Sequence, residues 1–497
     1  MASKTYRPWS PSQIFLLPPC PRDWLPEGHL VYFLLDVIAA LDLTAIESKI
    51  QAKDPRGARP YSPEMMVGLL IYGYCIGIRS SRKLERAIHE DVAFRVLAGG
   101  NLPDHTRISE FRRVHKAEFA GLFLQVLRLC QEAGLVRLGH IAIDGTKIQG
   151  NASKHKAMSH ERMVEMEGRL NQEIEELLAQ AEQVDAEEDG RFGPGKQEED
   201  LPAELRRREQ RLERILEAKA ALEAEALRSR AQELRDQAKR ARATAATHED
   251  ETVRKRSATR AETLEEKAKN LDGQDGGSDT RPADELPLHK IRARTDGTPD
   301  GKAQRNFTDP DSRIMETGGT FLQGYNCQAA VDDAHQIIVA ADLTNQSPDN
   351  GNLVPMLEQV RRNCGRSAAT ATADSGYWGP TVPEQCDALD CEAFIATERR
   401  KHWDRNPTET QGPPPEDAGA LEAMRWKLRT LVGREIYSRR KVVVEPVFGQ
   451  IKEARGIRRF LLRGLVRGVT IIDGAVITIF DGRGRVRIQA RRVGVCV

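Results

Sequence analysis

The chain has 497 residues, 39% of them hydrophobic, which is enough for two or three domains of the usual ~100–200 residues. Its 75 basic and 74 acidic residues leave a net charge of +1, so the total does not indicate a polyanion partner, although local basic surfaces remain possible within a balanced total. The eight cysteines are scattered without a CxxC pair, which argues against disulfide or zinc frameworks and favours a cytosolic protein.

No segment has the pattern of a membrane span. The amino terminus lacks an uninterrupted apolar core of the signal-peptide type, and the longest apolar run, residues 65–78, contains glycines and tyrosines. That run is shorter than the ~20 residues needed to cross a bilayer, so we expect a buried helix there and no membrane partner.

Residues 1–135 place apolar side chains at helical spacing and predict a helical domain. Within it, residues 103–119 begin with capping-type residues and place Ile108, Phe111 and Val114 on one face. The other face is predicted to contact DNA through Arg107, Arg112 and Arg113. Taken alone, this segment favours the alternative of an ordinary solvated helix face.

The hydrophobic period changes after Leu138, where residues 141–143 predict a short strand that ends at Asp144. Residues 136–160 are therefore the first part of a second domain. Residues 161–287 form a charged helical insertion, predicted as an antiparallel, coiled-coil-like hairpin joined by the loop at 187–200 and followed by a mobile connection at 272–285. Its seam is predicted from Met163, Met166, Leu170, Leu177, Leu205, Leu212, Ile215 and Leu222.

Strand patterns resume in residues 288–465, the second part of that domain. The stretches "FLQGYNCQAAVD" and "QIIVAADLTN" predict an antiparallel pair, and "NLVPMLEQVRRNCG" predicts a helix. "AATATADSGYW" predicts a strand ending at Asp374, and "CEAFIAT" predicts another strand. The order predicts an α/β fold with a mixed sheet covered by helices.

Three acids, Asp144, Asp374 and Glu445, are predicted to converge at one end of this sheet. Clustered acids are costly to bury unless cations compensate them, and oxygen ligands suit Mg²⁺ or Mn²⁺. Two such ions, ~3.5–4 Å apart, would promote in-line displacement at a phosphodiester. The three acids are therefore predicted as catalytic residues and metal ligands.

Each acid alone has a simpler explanation. Asp144 with Gly145 suits a turn at a strand end, and Asp374 suits a loop or a cap. Glu445 before Pro446 suits the first turn of a helix, where an acid complements the dipole, and we predict that position for it. Only the combination and order of the acids favour a metal site.

Basic and aromatic residues surround Glu445. Lys452 follows it by seven residues, nearly two helical turns, and so projects from about the same helix face. The residues predicted to contact DNA here are Tyr437, Arg440, Lys452, Arg458 and Arg459. A basic helix end that complements its own dipole is the alternative, but the arginines exceed that need.

Six segments in a fixed order resemble DDE transposases of bacterial insertion sequences, specifically the branch labelled eleven-eighty-two. They lie between residues 60 and 465 and read "YSPEMMVGLLIYGYCIGIRSSRKLERA", "DHTRISEFRRVH", "IAIDGTKIQGNASK", "TDPDSRIMETGGTFLQGYNCQAAVD", "ADSGYW" and "VEPVFGQIKEARGIRRFLLRGL". The resemblance implies that residues 1–135 are a helical DNA-binding domain, followed by a ribonuclease-H-like catalytic domain with Asp144, Asp374 and Glu445 as its catalytic acids.

The resemblance also implies the reaction and its partners. Metal-activated water cleaves the element's terminal inverted repeats, and the exposed 3′ hydroxyls then attack target DNA, on a homodimer or higher oligomer in the bacterial cytoplasm and nucleoid. A family signature of tyrosine, arginine, glutamate and lysine matches Tyr437, Arg440, Glu445 and Lys452. Arg440 lies one residue farther from Glu445 than in the commonest form of that signature.

Residues 466–497 form an atypical basic tail, rich in valine, glycine and arginine, where the family usually continues into another helix. We hypothesise that a frameshift near residue 465 replaced that helix and weakened the packing behind Glu445. Three other functions stay open from sequence: a structure-selective nuclease of the same fold, a non-catalytic DNA-binding remnant or regulator, and a coiled-coil assembly protein.

Overall fold

A computed structural model describes residues 20–52, 59–192, 203–275, 285–398 and 409–465. The tail at 466–497, much of the hairpin loop and most of the predicted connection therefore lie outside the described residues. In the described part of the chain, no helix is both long enough and apolar enough to cross a membrane.

The first described residues are helical, as predicted. The helices are α1 (Leu30–Ala39), α2 (Thr44–Gln51), α3 (Pro63–Cys75), α4 (Ser81–Glu90), α5 (Val92–Ala98), α6 (His105–Val114) and α7 (Lys116–Glu132). The predicted buried helix is α3, whose start is fixed by the Ser62 side chain accepting from Met65 N and by Pro63 in the first turn. Residues 66–74 of α3 are all buried, so this helix is the centre of the helical region.

Arg112 does not lie on the outer face of α6, so its predicted position is wrong. It is buried, and its guanidinium donates to Arg79 O at 3.0 Å and to Ser81 Oγ at 3.4 Å. The packing of α4 against α6 explains the difference, because the guanidinium satisfies polar groups at the start of α4 that the apolar interface would otherwise leave unpaired. Arg107 and Arg113 are exposed, as expected.

The strands of the described residues are β1 (His140–Gln149), β2 (Ala157–Ser159), β3 (Gln304–Asn306), β4 (Arg313–Thr317), β5 (Thr320–Asp332), β6 (Ile338–Thr344), β7 (Thr370–Ala373) and β8 (Glu392–Ile395). Six of them form the main sheet, in the order β4–β5–β1–β7–β8 with β6 also paired to β5. β5 is antiparallel to β1, β4 and β6, whereas β7 is parallel to β1 and β8. A separate two-stranded sheet joins β2 to β3.

Two predicted features of the sheet have different outcomes. The antiparallel pair is confirmed as β5 and β6, and the helix after it is α11 (Leu353–Cys364). The prediction that the first strand ends at Asp144 is wrong, because residues 145–149 continue to pair with β5 as far as Gly324. Asp144 is therefore the fifth of the ten residues of β1.

The insertion consists of α8 (His160–Phe192), α9 (Ala203–Thr247) and α10 (Glu251–Asp275). α8 and α9 pack through part of the predicted apolar seam. The buried members of the seam are Met163, Leu170, Leu205, Ile215 and Leu222. The predicted boundaries are wrong at two points, since α8 continues through residues 187–192 of the predicted loop and α10 continues through Asp275.

The remaining helices are α12 (Val382–Asp387), α13 (Ala420–Arg429) and α14 (Leu431–Gly449), and α14 continues into a π-helical turn at Gln450–Ala454. The prediction that Glu445 lies in a first helical turn is wrong, because it is the fifteenth of the 19 residues of α14. Pro446 lies inside the helix and cannot donate to Val442 O. The side chain of Gln336 donates to that carbonyl instead, at 2.9 Å, which explains how the helix continues through the proline.

Arg112→Ala should lower the free energy of unfolding by ~2 kcal/mol, because it leaves the carbonyl of Arg79 without its buried donor. The neighbouring exposed substitution Arg113→Ala is the matched control and should change it by less than ~0.5 kcal/mol. Urea or thermal unfolding of both variants measures the difference, and equal stabilities would contradict the buried role of Arg112.

Candidate active site

Asp144 and Asp374 lie next to each other at one level of the sheet. β1 and β7 are parallel, and their register pairs Ala142 with Thr372. Two residues farther along each chain, the same register places Asp144 beside Asp374. Asp374 follows the last residue of β7 directly and accepts a hydrogen bond from Gly376 N at 2.8 Å, which fixes its orientation.

Asp144 is largely buried and has a cationic partner. Arg440 Nη1 of α14 donates to Asp144 Oδ2 at 2.9 Å, and Gly145 N donates to Asp144 Oδ1 at 2.8 Å. Burial raises the pKa of Asp144 to about 6; the charges of Asp374 and Asp349 add to the rise, and Arg440 and Gly145 N oppose it. The positive charge of Arg440 and the hydrogen bond from Gly145 N therefore do not fully offset the loss of hydration that burial imposes on this carboxylate.

A third aspartate, Asp349, lies at this site, and sequence reasoning did not identify it. Its Oδ1 accepts from Asn326 Nδ2 at 2.7 Å and from Gln328 Nε2 at 2.8 Å, and Lys147 Nζ lies 3.5 Å away. These three partners come from β1 and β5, whereas Asp349 comes from the loop before α11. In the sequence it is one polar residue in the loop "TNQSPDN", so no local signal distinguishes it.

Gly145 is required by close packing, whereas the sequence suggested a turn. It lies inside β1, and a Cβ built on it would be 2.5 Å from Asp349 Oδ1 and closer still to Gln328 Nε2. Any side chain at this position would therefore displace the Asp349 network that lies behind Asp144.

Two tyrosines border the carboxylates. Tyr377 is fully buried and its hydroxyl donates to Gln328 Oε1, which connects the turn after Asp374 to the Asp349 network. Tyr437 of α14 is half-buried, and burial raises its pKa while the nearby charge of Arg440 opposes that rise. Both hydroxyl groups therefore stay protonated and can donate hydrogen bonds at neutral pH.

Glu445 is on the same helix as Arg440 but points elsewhere. At ~100° per residue, the two side chains lie about 140° apart around the helix axis. Glu445 is exposed, and among the described residues no hydrogen bond or ion pair joins it to Asp144 or Asp374. Lys452 lies in the π-helical turn, half-buried, and burial lowers its pKa.

The other residues predicted to contact DNA differ in exposure. Arg458 and Arg459 are exposed; Arg458 pairs with Glu453, and Arg459 Nη2 donates to Asn151 Oδ1 at 3.1 Å. Arg440 is buried against Asp144, so its predicted place on a DNA-contacting surface is wrong in this conformation. The extra residue between Arg440 and Glu445 is consistent with this, because it turns the two side chains to different faces of the helix.

The carboxylate oxygens of Asp144 and Asp374 are suited to a hard divalent cation, although the described residues do not form a complete metal-binding site. Asp144 and Asp374 supply neighbouring carboxylate oxygens, the ligand type that Mg²⁺ and Mn²⁺ prefer. Burial is the main cause of the raised pKa of Asp144, and the charges of Asp374 and Asp349 add to it, so a bound cation would favour the charged carboxylate. Within the described ranges, however, no three side chains of histidine, cysteine, aspartate or glutamate are grouped closely enough to hold a metal ion.

Two family models match the chain. Residues 19–114 match "Transposase domain (DUF772)", and residues 292–479 match "Transposase DDE domain". No curated protein and no solved structure gives a match. The two matches together support a DDE-type transposase family. The second match includes Asp374 and Glu445 but not β1, so the structure supplies the link between Asp374 and Asp144.

Asp144→Asn should become increasingly stabilising as pH rises. Because the fold raises the pKa of Asp144 from 3.8 to about 6, the neutral carboxyl stabilises the fold fully below 3.8, and this stability is lost as pH rises through 6. Asparagine stays neutral, so the difference between variant and wild type should grow by roughly 3 kcal/mol between about pH 4 and pH 7. Thermal melting at a series of pH values measures it.

Asp104→Asn is the matched control for that experiment. Asp104 accepts from backbone N–H groups at the start of α6, and the hydrogen bond from Arg107 N is the first cause of its lowered pKa. Its charged form therefore stabilises the fold, and the pH dependence of this variant should have the opposite sign. A flat profile for Asp144→Asn would contradict the account of its burial.

Proposed function

We propose that this protein is a transposase that cuts DNA at the terminal inverted repeats of an insertion sequence and joins the 3′ ends to target DNA. The observation that supports this most directly is the placement of Asp144 beside Asp374, the second of which lies in the matched Transposase DDE domain. The mixed sheet, with β1 between antiparallel β5 and parallel β7, is consistent with a ribonuclease-H-like fold of the eleven-eighty-two branch.

Asp144, Asp374 and Glu445 are the proposed ligands of two Mg²⁺ or Mn²⁺ ions. When bound, such ions activate the attacking oxygen and stabilise the departing one during phosphodiester displacement. Glu445 would have to approach the aspartates, and its position on α14, the helix that already reaches Asp144 through Arg440, supports that role.

The protein's own side chains prepare the site for this chemistry. Arg440 neutralises part of the charge of Asp144 and so holds α14 against β1. Asp349 fixes Asn326 and Gln328 and lies near the ammonium group of Lys147, which keeps the backbone around Asp144 rigid. A rigid carboxylate pair reduces the reorganisation that the reaction requires.

The proposed partner is duplex DNA, as terminal repeats and as target. Candidate contacts are exposed or half-buried basic and aromatic side chains, which can neutralise phosphates. They are Arg107, Arg113, Tyr437, Lys452, Arg458 and Arg459. The helices α8 to α10, which form a long insertion between β2 and β3, are proposed to pair subunits in a homodimer or higher oligomer.

Asp144→Asn and Asp374→Asn should each lower Mg²⁺-dependent nicking of repeat-end DNA by about 100-fold or more. The reason is that metal-ion catalysis contributes several kcal/mol and ~1.4 kcal/mol corresponds to tenfold in rate. A gel assay with end-labelled DNA measures nicking, and metal-free DNA binding should remain as in wild type. Nicking that survives both substitutions would exclude the proposed site.

The same assay separates the other functions. Wild-type protein that binds repeat ends and never nicks them would indicate a DNA-binding remnant or regulator. Preferential cutting of branched DNA without repeats would indicate a structure-selective nuclease.

Glu445→Gln and Asp349→Asn distinguish a metal ligand from a supporting residue. Loss of a ligand should lower nicking about 100-fold or more, whereas loss of a hydrogen-bonding support should cost about tenfold. We therefore expect Glu445→Gln to be the more damaging variant, with Mn²⁺ affinity reduced in parallel when measured by calorimetry. The reverse ranking would assign the third carboxylate to Asp349.

A further inference from the structure

The turn between α3 and α4 packs tightly on the loop after the π-helical turn. Gly77 has a positive φ of 81°, and a Cβ on it would lie 3.3 Å from Arg455 O. The guanidinium of Arg79 donates to Arg459 O at 2.9 Å and to Gly456 O at 2.6 Å. Two carbonyls of the loop at 456–459 are thus held by one side chain of the N-terminal helical region.

The other side of this loop is fixed to the strand that carries Asp144. Phe460 N donates to Gln149 O at 2.8 Å, and Gln149 forms a parallel bridge with Arg459. Gln149 is the last residue of β1, five residues beyond Asp144. At ~3.3 Å per residue, the loop lies about 17 Å along the strand from the carboxylate.

The outer face of α4 is basic. Its buried face consists of Ser81, Leu84, Ala87 and Ile88. Arg82, Lys83 and Arg86 are exposed on the other side, and Arg86 pairs with Glu90 at 3.2 Å. Across the described part of the chain, no ion pair engages Arg82 or Lys83. These two cations are therefore available to an anionic partner.

The basic face of α4 and the loop at 456–459 are neighbours. Arg79, which holds the loop, precedes Arg82 by three residues. Arg458 and Arg459 of the loop are also exposed. The hydrogen bonds of Arg79 join segments that are 377 and 380 residues apart in sequence, so no local sequence signal indicates that these cations are close.

We propose that α4 and the loop at 456–459 form one continuous surface that binds the sugar–phosphate backbone of duplex DNA beside the cleavage site. The inference rests on the proposed function and specifies where the DNA lies. A distance of about 17 Å from Asp144 corresponds to about five base pairs at ~3.4 Å each. α4, ten residues long, adds about 15 Å to the contact.

This surface was not identified from the sequence, which pointed to α6. Arg112 of α6 is buried, and Arg107 of α6 approaches Glu110 at 3.4 Å. α4 presents two cations that have no such partner among the residues that the structure describes, and the turn before it is joined directly to the loop at 456–459. We therefore expect α4 to make more contacts with DNA phosphates than α6 makes.

The test measures binding of a fluorescein-labelled duplex of about 30 base pairs by anisotropy, without divalent metal, over a series of salt concentrations. Arg82→Gln with Lys83→Gln should raise the Kd roughly tenfold and lower the slope of log K against log salt by about two, since each lost phosphate contact removes ~0.9. The charge-conserving pair Arg82→Lys with Lys83→Arg should restore binding, which a merely misfolded variant would not show.

Two comparisons make the result specific. Arg254→Gln with Arg256→Gln, on exposed positions of α10, removes the same charge and should leave the slope unchanged. Arg107→Gln with Arg113→Gln on α6 should cause a smaller loss than the α4 pair. An unchanged slope in the α4 pair, or a loss equal to it in the α10 control, would overturn the proposal.

This experiment tests the binding surface independently of the proposed catalytic function. If wild type binds the duplex and the α4 pair does not, but no nicking ever appears with Mg²⁺, the catalytic proposal fails and the binding surface stands. If wild type nicks DNA and the α4 pair binds as wild type does, this surface alone is excluded.

Discussion

The ion pair between Asp144 and Arg440 is the constraint on which the arrangement of the site depends. A carboxylate inside a central strand loses its hydration, and the neighbouring Asp374 adds like charge, so a cation has to be supplied. α14 supplies it through Arg440, and the 2.9 Å contact fixes how this helix lies across β1. The pKa of Asp144 is still raised, because the guanidinium offsets only part of the cost of burying the charged carboxylate.

The Asp349 network supports the strand around the same carboxylate. Asp349 accepts from the amides of Asn326 and Gln328, and Gly145 leaves the space that these groups occupy. Asp349 thus has hydrogen-bond partners from β5 on one carboxylate oxygen, whereas Asp144 faces Arg440 and the like charge of Asp374. In the proposed mechanism, the metal ions would bind at Asp144 and Asp374 while the Asp349 network holds the neighbouring strand in place.

The strands and the acids Asp144 and Asp374 could be predicted from the sequence, because hydrophobic periodicity is a local signal and each acid directly follows an apolar run, although β1 continues beyond Asp144. No local signal indicated the role of Asp349, because its hydrogen-bond partners lie on two strands that are distant in sequence. The burial of Arg112 could not be predicted either, because it depends on the packing of α4 on α6. The course of α14 through Pro446 was also missed, since Gln336 from another loop satisfies the carbonyl that the proline cannot. All three errors arise from tertiary hydrogen bonds that override local preference.

The N-terminal helices and the sheet behave as one packed body in the described residues. They share a continuous apolar cluster, and the Arg79 junction adds polar contacts to the loop at 456–459. A close-packed interface of this kind fixes the position of the N-terminal helices relative to the sheet. DNA bound on α4 would then be held at a fixed distance from Asp144, so the position of the cut along the duplex would follow from the rigid separation of two surfaces. Recognition of bases on either surface would then be enough to determine which phosphodiester lies at Asp144.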